Sequence, residues 1–284
     1  MPAHPQGRLA GIVMMALSVL MFAGSNVAAK WVVSSAPVGE TLFIRSLVAL
    51  LFLAPLLRPR DLARLRGVGH PWLHLLRLAG QAGDSFCYYW AVSVLPLADA
   101  SAIYLASPIC VTALSAAFLG EQVDWRRWLA VLVGFIGVLI ALRPGPTTLS
   151  SYALVALVGM VSYSVSAVAI RRLRRVPNRV LVASQAASLA LFMVVTAGGW
   201  VWPTPAQLGL IVLIGLFSLG GFVLMTRGLQ LAPASVVVPF QYTGIVWACV
   251  FGWLVFGDVP GPATLLGAAV IIAAGSFIVL RERR

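Results

Sequence analysis

The chain has 284 residues, of which 61% are hydrophobic and 10% charged, with a mean hydropathy of +0.97. That balance leaves too little polar surface to wrap a water-soluble core and excludes an ordinary soluble domain. The formal net charge of +12 does not call for a nucleic-acid partner, because the basic residues sit in short gaps between apolar stretches rather than on one face.

Ten apolar stretches are each long enough to cross a bilayer as a helix. The first, Leu9 to Val33, follows Arg8; it is too long for a signal-peptide core and is expected to stay in place. Gly39 to Leu57 leads into a gap carrying Arg58, Arg60, Arg64 and Arg66. Trp72 to Leu95 and Leu97 to Leu119 come next, followed by Arg126 and Arg127 at the start of Trp125 to Leu142. Ser151 to Ile170 ends on Arg171, Arg172, Arg174, Arg175 and Arg179, before Val180 to Val201. Leu208 to Leu231 holds Arg227 near its end, Ala234 to Phe256 follows, and Pro262 to Leu280 precedes Arg281, Arg283 and Arg284. The charges thus fill every second gap, while the other gaps hold only Arg143. By the positive-inside rule both termini face the cytoplasm.

Two segments of the chain align without a gap. Laying the sequence from Leu95 over that from Ala232 matches Pro96 with Pro233, Gly120 with Gly257 and Glu121 with Asp258. Each reads as a proline-led helix, an acidic turn after a glycine, and a further apolar helix. The expected units are residues 1–145 and 146–284, and five spans per unit, being odd, would insert the second copy upside down.

Polar side chains in the hydrocarbon core are costly unless they face helices or water, so polar stripes indicate a cavity. On the first span Asn26 both donates and accepts, which suits an amino-acid headgroup. On the third span Gln81, Asp84, Ser85 and Tyr88 share one helical face. Asp84 has two readings: a cavity acid that binds a substrate ammonium or carries a proton, or a packing partner for Arg77 or another interior donor. Arg77 itself reads as snorkelling to the cytoplasmic surface. Lys30 and Arg45 read as snorkelling to the outer headgroups, or else as outer-mouth charges that meet Asp99 or a substrate carboxylate. Pro108 and Pro239 interrupt the fourth and ninth spans and free backbone carbonyls there. Tyr104, Ser107 and Ser115 share a side of the fourth span; Gln241, Tyr242 and Trp247 are the polar and aromatic content of the ninth; Tyr163 with Ser166 is the counterpart on the sixth. Aromatic walls suit apolar or aromatic amino acids and flat cations. Ser184, Gln185 and Ser188 read as helix contacts.

Cys87, Cys110 and Cys249 lie within spans and imply no disulfide framework. The histidines, His4, His70 and His74, make no HExxH motif, and no glycine-rich loop ends in lysine. No cofactor or metal is expected, and an integral-membrane enzyme is disfavoured, as is a channel, since no filter motif is visible.

The stretches GSNVAAK (Gly24 to Lys30), ETLFIRSLVAL (Glu40 to Leu50), LADASAIYLASP (Leu97 to Pro108) and FLGEQVDWRRWLAVLVGFIGVLI (Phe118 to Ile140) resemble the EamA-type members of the drug/metabolite transporter superfamily, bacterial amino-acid exporters of the YddG type among them. The second half departs slightly, with Asp258 where the family often has Glu. The resemblance implies an all-α polytopic membrane protein of ten helices, in two inverted five-helix repeats around a central cavity lined by the first, third, fourth, sixth, eighth and ninth spans. It also implies export of small metabolites. The resulting expectation is an alternating-access exporter of amino acids, aromatic or other apolar ones included, with other metabolites or cationic drugs as the alternative. Its partners would be the amino-acid substrate and the lipid bilayer, with a monomer sufficient for transport.

Overall fold

The computed structural model describes residues 5–32, 38–57, 71–94, 103–142, 151–196, 202–257, 259 and 261–282, and every regular element among them is helical. In chain order these are α1 (Pro5–Val32), α2 (Val38–Leu53), α3 (Pro71–Val94), α4 (Ser107–Leu119), α5 (Trp125–Leu142), α6 (Ser151–Arg172), α7 (Asn178–Thr196), α8 (Pro205–Leu231), α9 (Ala234–Phe256) and α10 (Pro262–Glu282). Six segments, in α1, α2, α5, α6, α8 and α9, are long and apolar enough to cross a membrane. The helix α3 is outside that set because His74, Arg77, Gln81 and Asp84 interrupt its apolar run. Leu51, Phe118, Trp253 and Leu280 are exposed on outward faces. Water would not tolerate such a surface but lipid does, and the fold is that of a multi-pass membrane protein.

Gly120 ends α4 and Gly257 ends α9, at φ of 64° and 72°. Both are left-handed caps, which only glycine adopts without strain. They are the pair that the sequence alignment superimposes. Neither the fourth span, whose described part ends in α4, nor α9 is continuous. A turn at Leu105 and Ala106 precedes α4, whereas α9 runs as Ala234–Val237, a 3-10 stretch over Val238–Tyr242, and a second helix from Thr243. The regular helix thus resumes at nearly the same position of the aligned segments, although Pro108 and Pro239 do not align.

The strongest pairings are α1 with α8, α3 with α6, α5 with α10, and α2 with α7. Weaker ones join α2 to α8 and α3 to α7, and α1 to α9 and α4 to α6. Exchanging α1–α5 with α6–α10 maps this set onto itself. Small residues permit the closest approaches. A Cβ on Gly267 of α10 would collide with the Gly137 carbonyl and stand 2.7 Å from Ala141 Cβ. On α1, a Cβ at Gly11 would stand 2.6 Å from Ala232 Cβ.

Candidate functional site in the middle of the bundle

The stripe on α3 meets Tyr104, just ahead of α4, and Ser166 of α6. Gln81, 4% exposed, donates from Nε2 to Asp84 Oδ2 at 3.1 Å, and its Oε1 accepts from Ser166 of α6 at 3.4 Å. Tyr104 donates to the Asp84 backbone carbonyl at 3.1 Å and packs edge-on against Tyr88, with ring centroids 4.9 Å apart. Gln241 of α9 donates to the Tyr163 hydroxyl of α6, and its Oε1 accepts from Ser107 of α4 at 3.4 Å. Tyr163 also approaches Met225 of α8, at 3.7 Å. The start of α4 and the 3-10 stretch of α9 therefore meet through Ser107 and Gln241, and Tyr163, which Gln241 holds, is within electrostatic reach of Asp84. Of the residues singled out in the sequence, Gln81, Asp84, Tyr88, Tyr104, Ser107, Tyr163 and Gln241 belong to this one cluster.

Gly159 makes the approach of α4 possible. A Cβ there would occupy the Tyr104 hydroxyl and stand 2.7 Å from Cys87 Cβ. Gly80 on the α3–α6 seam is also tight: a Cβ there would meet the Ser162 carbonyl at 2.8 Å.

Other expectations are placed elsewhere. Tyr242 is 3% exposed and lies against Gly134 of α5, where a Cβ would stand 2.6 Å from the ring. It fills the core between α5, α9 and α10 with Val138, Ile245 and Ile271 rather than lining the cluster. Trp247 packs on Phe251 of its own helix, with centroids 6.4 Å apart. Asn26 is exposed and makes no hydrogen bond to a described residue. Ser115 donates to the Thr112 carbonyl one turn back. Arg77 does not snorkel: it is 0% exposed and donates to the Leu181 carbonyl at 3.2 Å and to Ser184 Oγ at 2.7 Å. These acceptors on α7 hold it inside, so Arg77 is not the partner of Asp84. Arg45 does not stand at a helix end but lines a pocket between α2, α7 and α8. Lys30 lies in α1, but its side chain is outside the described residues, as is all of Asp99.

At the arginine-rich end of the bundle Glu121 joins the start of α9 to the end of α6. Glu121, in the turn after Gly120, accepts from the backbone N–H groups of Ala234 and Ser235 at 3.0 and 3.1 Å, and from Ser235 Oγ at 2.7 Å. These are first-turn donors of α9, which have no partner within the helix, and a carboxylate there also meets the positive end of the helix dipole. Arg171 at the end of α6 lies 3.6 Å from Glu121 and donates to the Leu229 and Gln230 carbonyls that close α8. Arg127 adds a hydrogen bond to Ser235 at 3.2 Å. The sequence marked Glu121 only as punctuation in a repeat; its partners are 113 and 114 residues away.

The EamA-like transporter family profile matches residues 9–143 and again 150–281. The chain is 32% identical to the pseudopaline exporter CntI of Pseudomonas aeruginosa (strain UCBPP-PA14) over 93% of its own length and 94% of the exporter's. It is 29% identical to a riboflavin transporter of Rhizobium johnstonii over 99% of this chain and 94% of that protein. It is 23% identical to an S-adenosylmethionine uptake transporter of Rickettsia bellii, over 96% and 94%. A crystal structure with 21% identity superimposes with a TM-score of 0.81 over 96% of this chain and 98% of that one, which establishes the shared fold. The chain belongs to the EamA-like transporter family of the drug/metabolite transporter superfamily, whose members are transporters and not enzymes.

Proposed function

We propose that this protein is an alternating-access carrier of the bacterial inner membrane that exports amino acids, aromatic and other apolar ones included. The observation that carries the proposal is the convergence of Asp84, Gln81, Tyr104, Tyr163, Ser107 and Gln241 from four helices, two of them interrupted where they meet. Discontinuous helices at the midplane are a recurring way to offer unpaired backbone groups to a polar substrate. The Asp84 carboxylate supplies a counter-charge for an ammonium or a carrier for a proton, the two glutamine amides supply hydrogen bonds, and Tyr88, Tyr104 and Tyr163 supply aromatic walls.

Residues 1–145 and 146–284 act as two five-helix halves of opposite insertion, with both termini in the cytoplasm. The self-mapping helix pairings and the matched caps at Gly120 and Gly257 support this arrangement. Rocking one half against the other would expose the cluster to each side in turn. Opening at the arginine-rich end requires the Glu121 latch to break.

Export of other metabolites or cationic drugs is the second reading, favoured by relatives that carry pseudopaline, riboflavin and S-adenosylmethionine. Purified protein in proteoliposomes, loaded with one unlabelled amino acid and given its labelled form outside, tests the proposal. Saturable counterflow, competed best by aromatic or apolar amino acids, is expected. Flux without counterflow would indicate a channel, and counterflow competed by other metabolites but by no amino acid would establish the second reading.

A further inference from the structure

On α1 the lipid-facing stripe is marked by Val13, Leu17 and Trp31, all exposed. Asn26 is nine residues from Leu17, about two and a half turns, and so points the opposite way. Its neighbours fix what lies on that side. Ser25 shares a hydrogen with Ser218 of α8 at 3.0 Å. Phe22, one turn below Asn26, fills the space beside Gly221 of α8, and Val19, two turns below, stands against Gly244 of α9. Asn26 therefore faces the interior between α8 and α9, yet it is exposed and bonds to no described residue. Further down the same face Val19 is 8% exposed and Met15 0%.

The other central helices show the same change. On α3, Arg77 and Gln81 are buried, whereas Asp84 and Tyr88, the next turns out, are half-buried. Tyr104, ahead of α4, is half-buried, and Ser107 and Val111 further in are buried. On α9, Val237 and Phe240 are buried, whereas Gln241, Gly244 and Trp247 are half-buried. In each case the buried residues lie toward the arginine-rich end, where Glu121 joins α9 to α6. Asn26 is 18 residues beyond Arg8, about 27 Å along α1, which is nearly the thickness of the hydrocarbon core. The interior is thus sealed on the arginine side of the Asp84 cluster and open on the other.

An amide without a partner is expensive in hydrocarbon but not in a water-filled cavity. It offers an N–H donor and a carbonyl acceptor, which match the carboxylate and the ammonium of an amino acid alike.

We infer that an aqueous vestibule reaches the Asp84 cluster from the side away from the arginines, and that Asn26 is its substrate contact, binding the headgroup of an amino acid on its way between the cluster and the outside. The inference rests on the carrier reading above and adds to it the residue that the substrate meets at the outer face.

The test uses the background in which Cys87, Cys110 and Cys249 are changed to serine. N26C, L17C and V19C are treated in right-side-out vesicles with a charged methanethiosulfonate that does not cross the membrane. N26C reacts at least tenfold faster than L17C, which faces lipid, and than V19C, which lies below the vestibule. Equal rates at 26 and 17 would place Asn26 against lipid, equal rates at 26 and 19 would show that the path is not sealed there, and either result overturns the vestibule. If N26C does not fold, A29C, one turn further out, carries the same comparison. The contact is read separately, as KM in proteoliposomes for the best-competing substrate of the counterflow panel. N26L raises KM at least fivefold, the loss of about one hydrogen bond, with the melting temperature unchanged, and N26Q, which keeps the amide, recovers part of it. A KM within twofold of the parent in N26L overturns the contact. Should the parent show no counterflow, the carrier reading fails by itself, and labelling at 26 still decides the vestibule.

Discussion

Replacing Glu121 with alanine removes, at a single point, the latch proposed between the two halves. The lost interactions are two backbone hydrogen bonds at 3.0 and 3.1 Å, one from the Ser235 hydroxyl at 2.7 Å, and the Arg171 contact at 3.6 Å, all to a side chain that is 11% exposed. Loss of a helix cap costs about 0.5–2 kcal/mol, and a hydrogen bond to a charged group is worth about 1.5–3 kcal/mol. Water at the bundle end solvates the freed donors and reduces the sum, so about 2–4 kcal/mol is expected. If the latch holds that end shut, this is a shift of about 30-fold to about 700-fold in the population of the open form. Thr112, on α4 behind the latch, is 0% exposed. With Cys87, Cys110 and Cys249 changed to serine, Thr112→Cys becomes a reporter of opening. Its maleimide labelling in inside-out vesicles should be at least tenfold faster with Glu121→Ala, and intermediate with Glu121→Gln, which keeps one acceptor. Equal labelling rates in a folded variant would show that Glu121 is not a latch.

Two further substitutions test the packing around the cluster. Gly159→Ala should destabilise the detergent-solubilised protein by about 1–3 kcal/mol, as overpacking does, and Tyr104→Phe should restore part of the loss because the clash is with the Tyr104 hydroxyl; melting temperatures of the single and double variants measure the coupling. Ser184→Ala should lower the melting temperature more than Arg77→Met does. The first leaves a buried guanidinium short of an acceptor, whereas the second removes the charge along with its need for partners; the reverse order would mean that Arg77 is not held as described.

The parts of the fold legible in the sequence are those set by local pattern. Helix positions follow from the length of apolar runs, and the stripe of Gln81, Asp84 and Tyr88 follows from the helical period. Gly120 and Gly257 stood out because a left-handed cap selects glycine. What was not legible depends on distant partners. Arg77 reads as a snorkelling residue until α7 brings Leu181 and Ser184 to it from 104 and 107 residues away. Tyr242 reads as a cavity residue, but Gly134 of α5 leaves a ring-sized gap beside it, so it serves as core. Glu121 as a cap of α9 cannot be recognised before the helices are assembled, because its partners lie 113 and 114 residues away.

The account centres on the cluster around Asp84, and binding is its most direct measurement. With the best-competing substrate from the counterflow panel as ligand, purified Asp84→Asn should bind at least tenfold more weakly than the parent while melting within about 3 °C of it, the isosteric change leaving packing intact. Unchanged affinity in that variant would mean that the substrate does not meet Asp84, and the proposed site would be wrong.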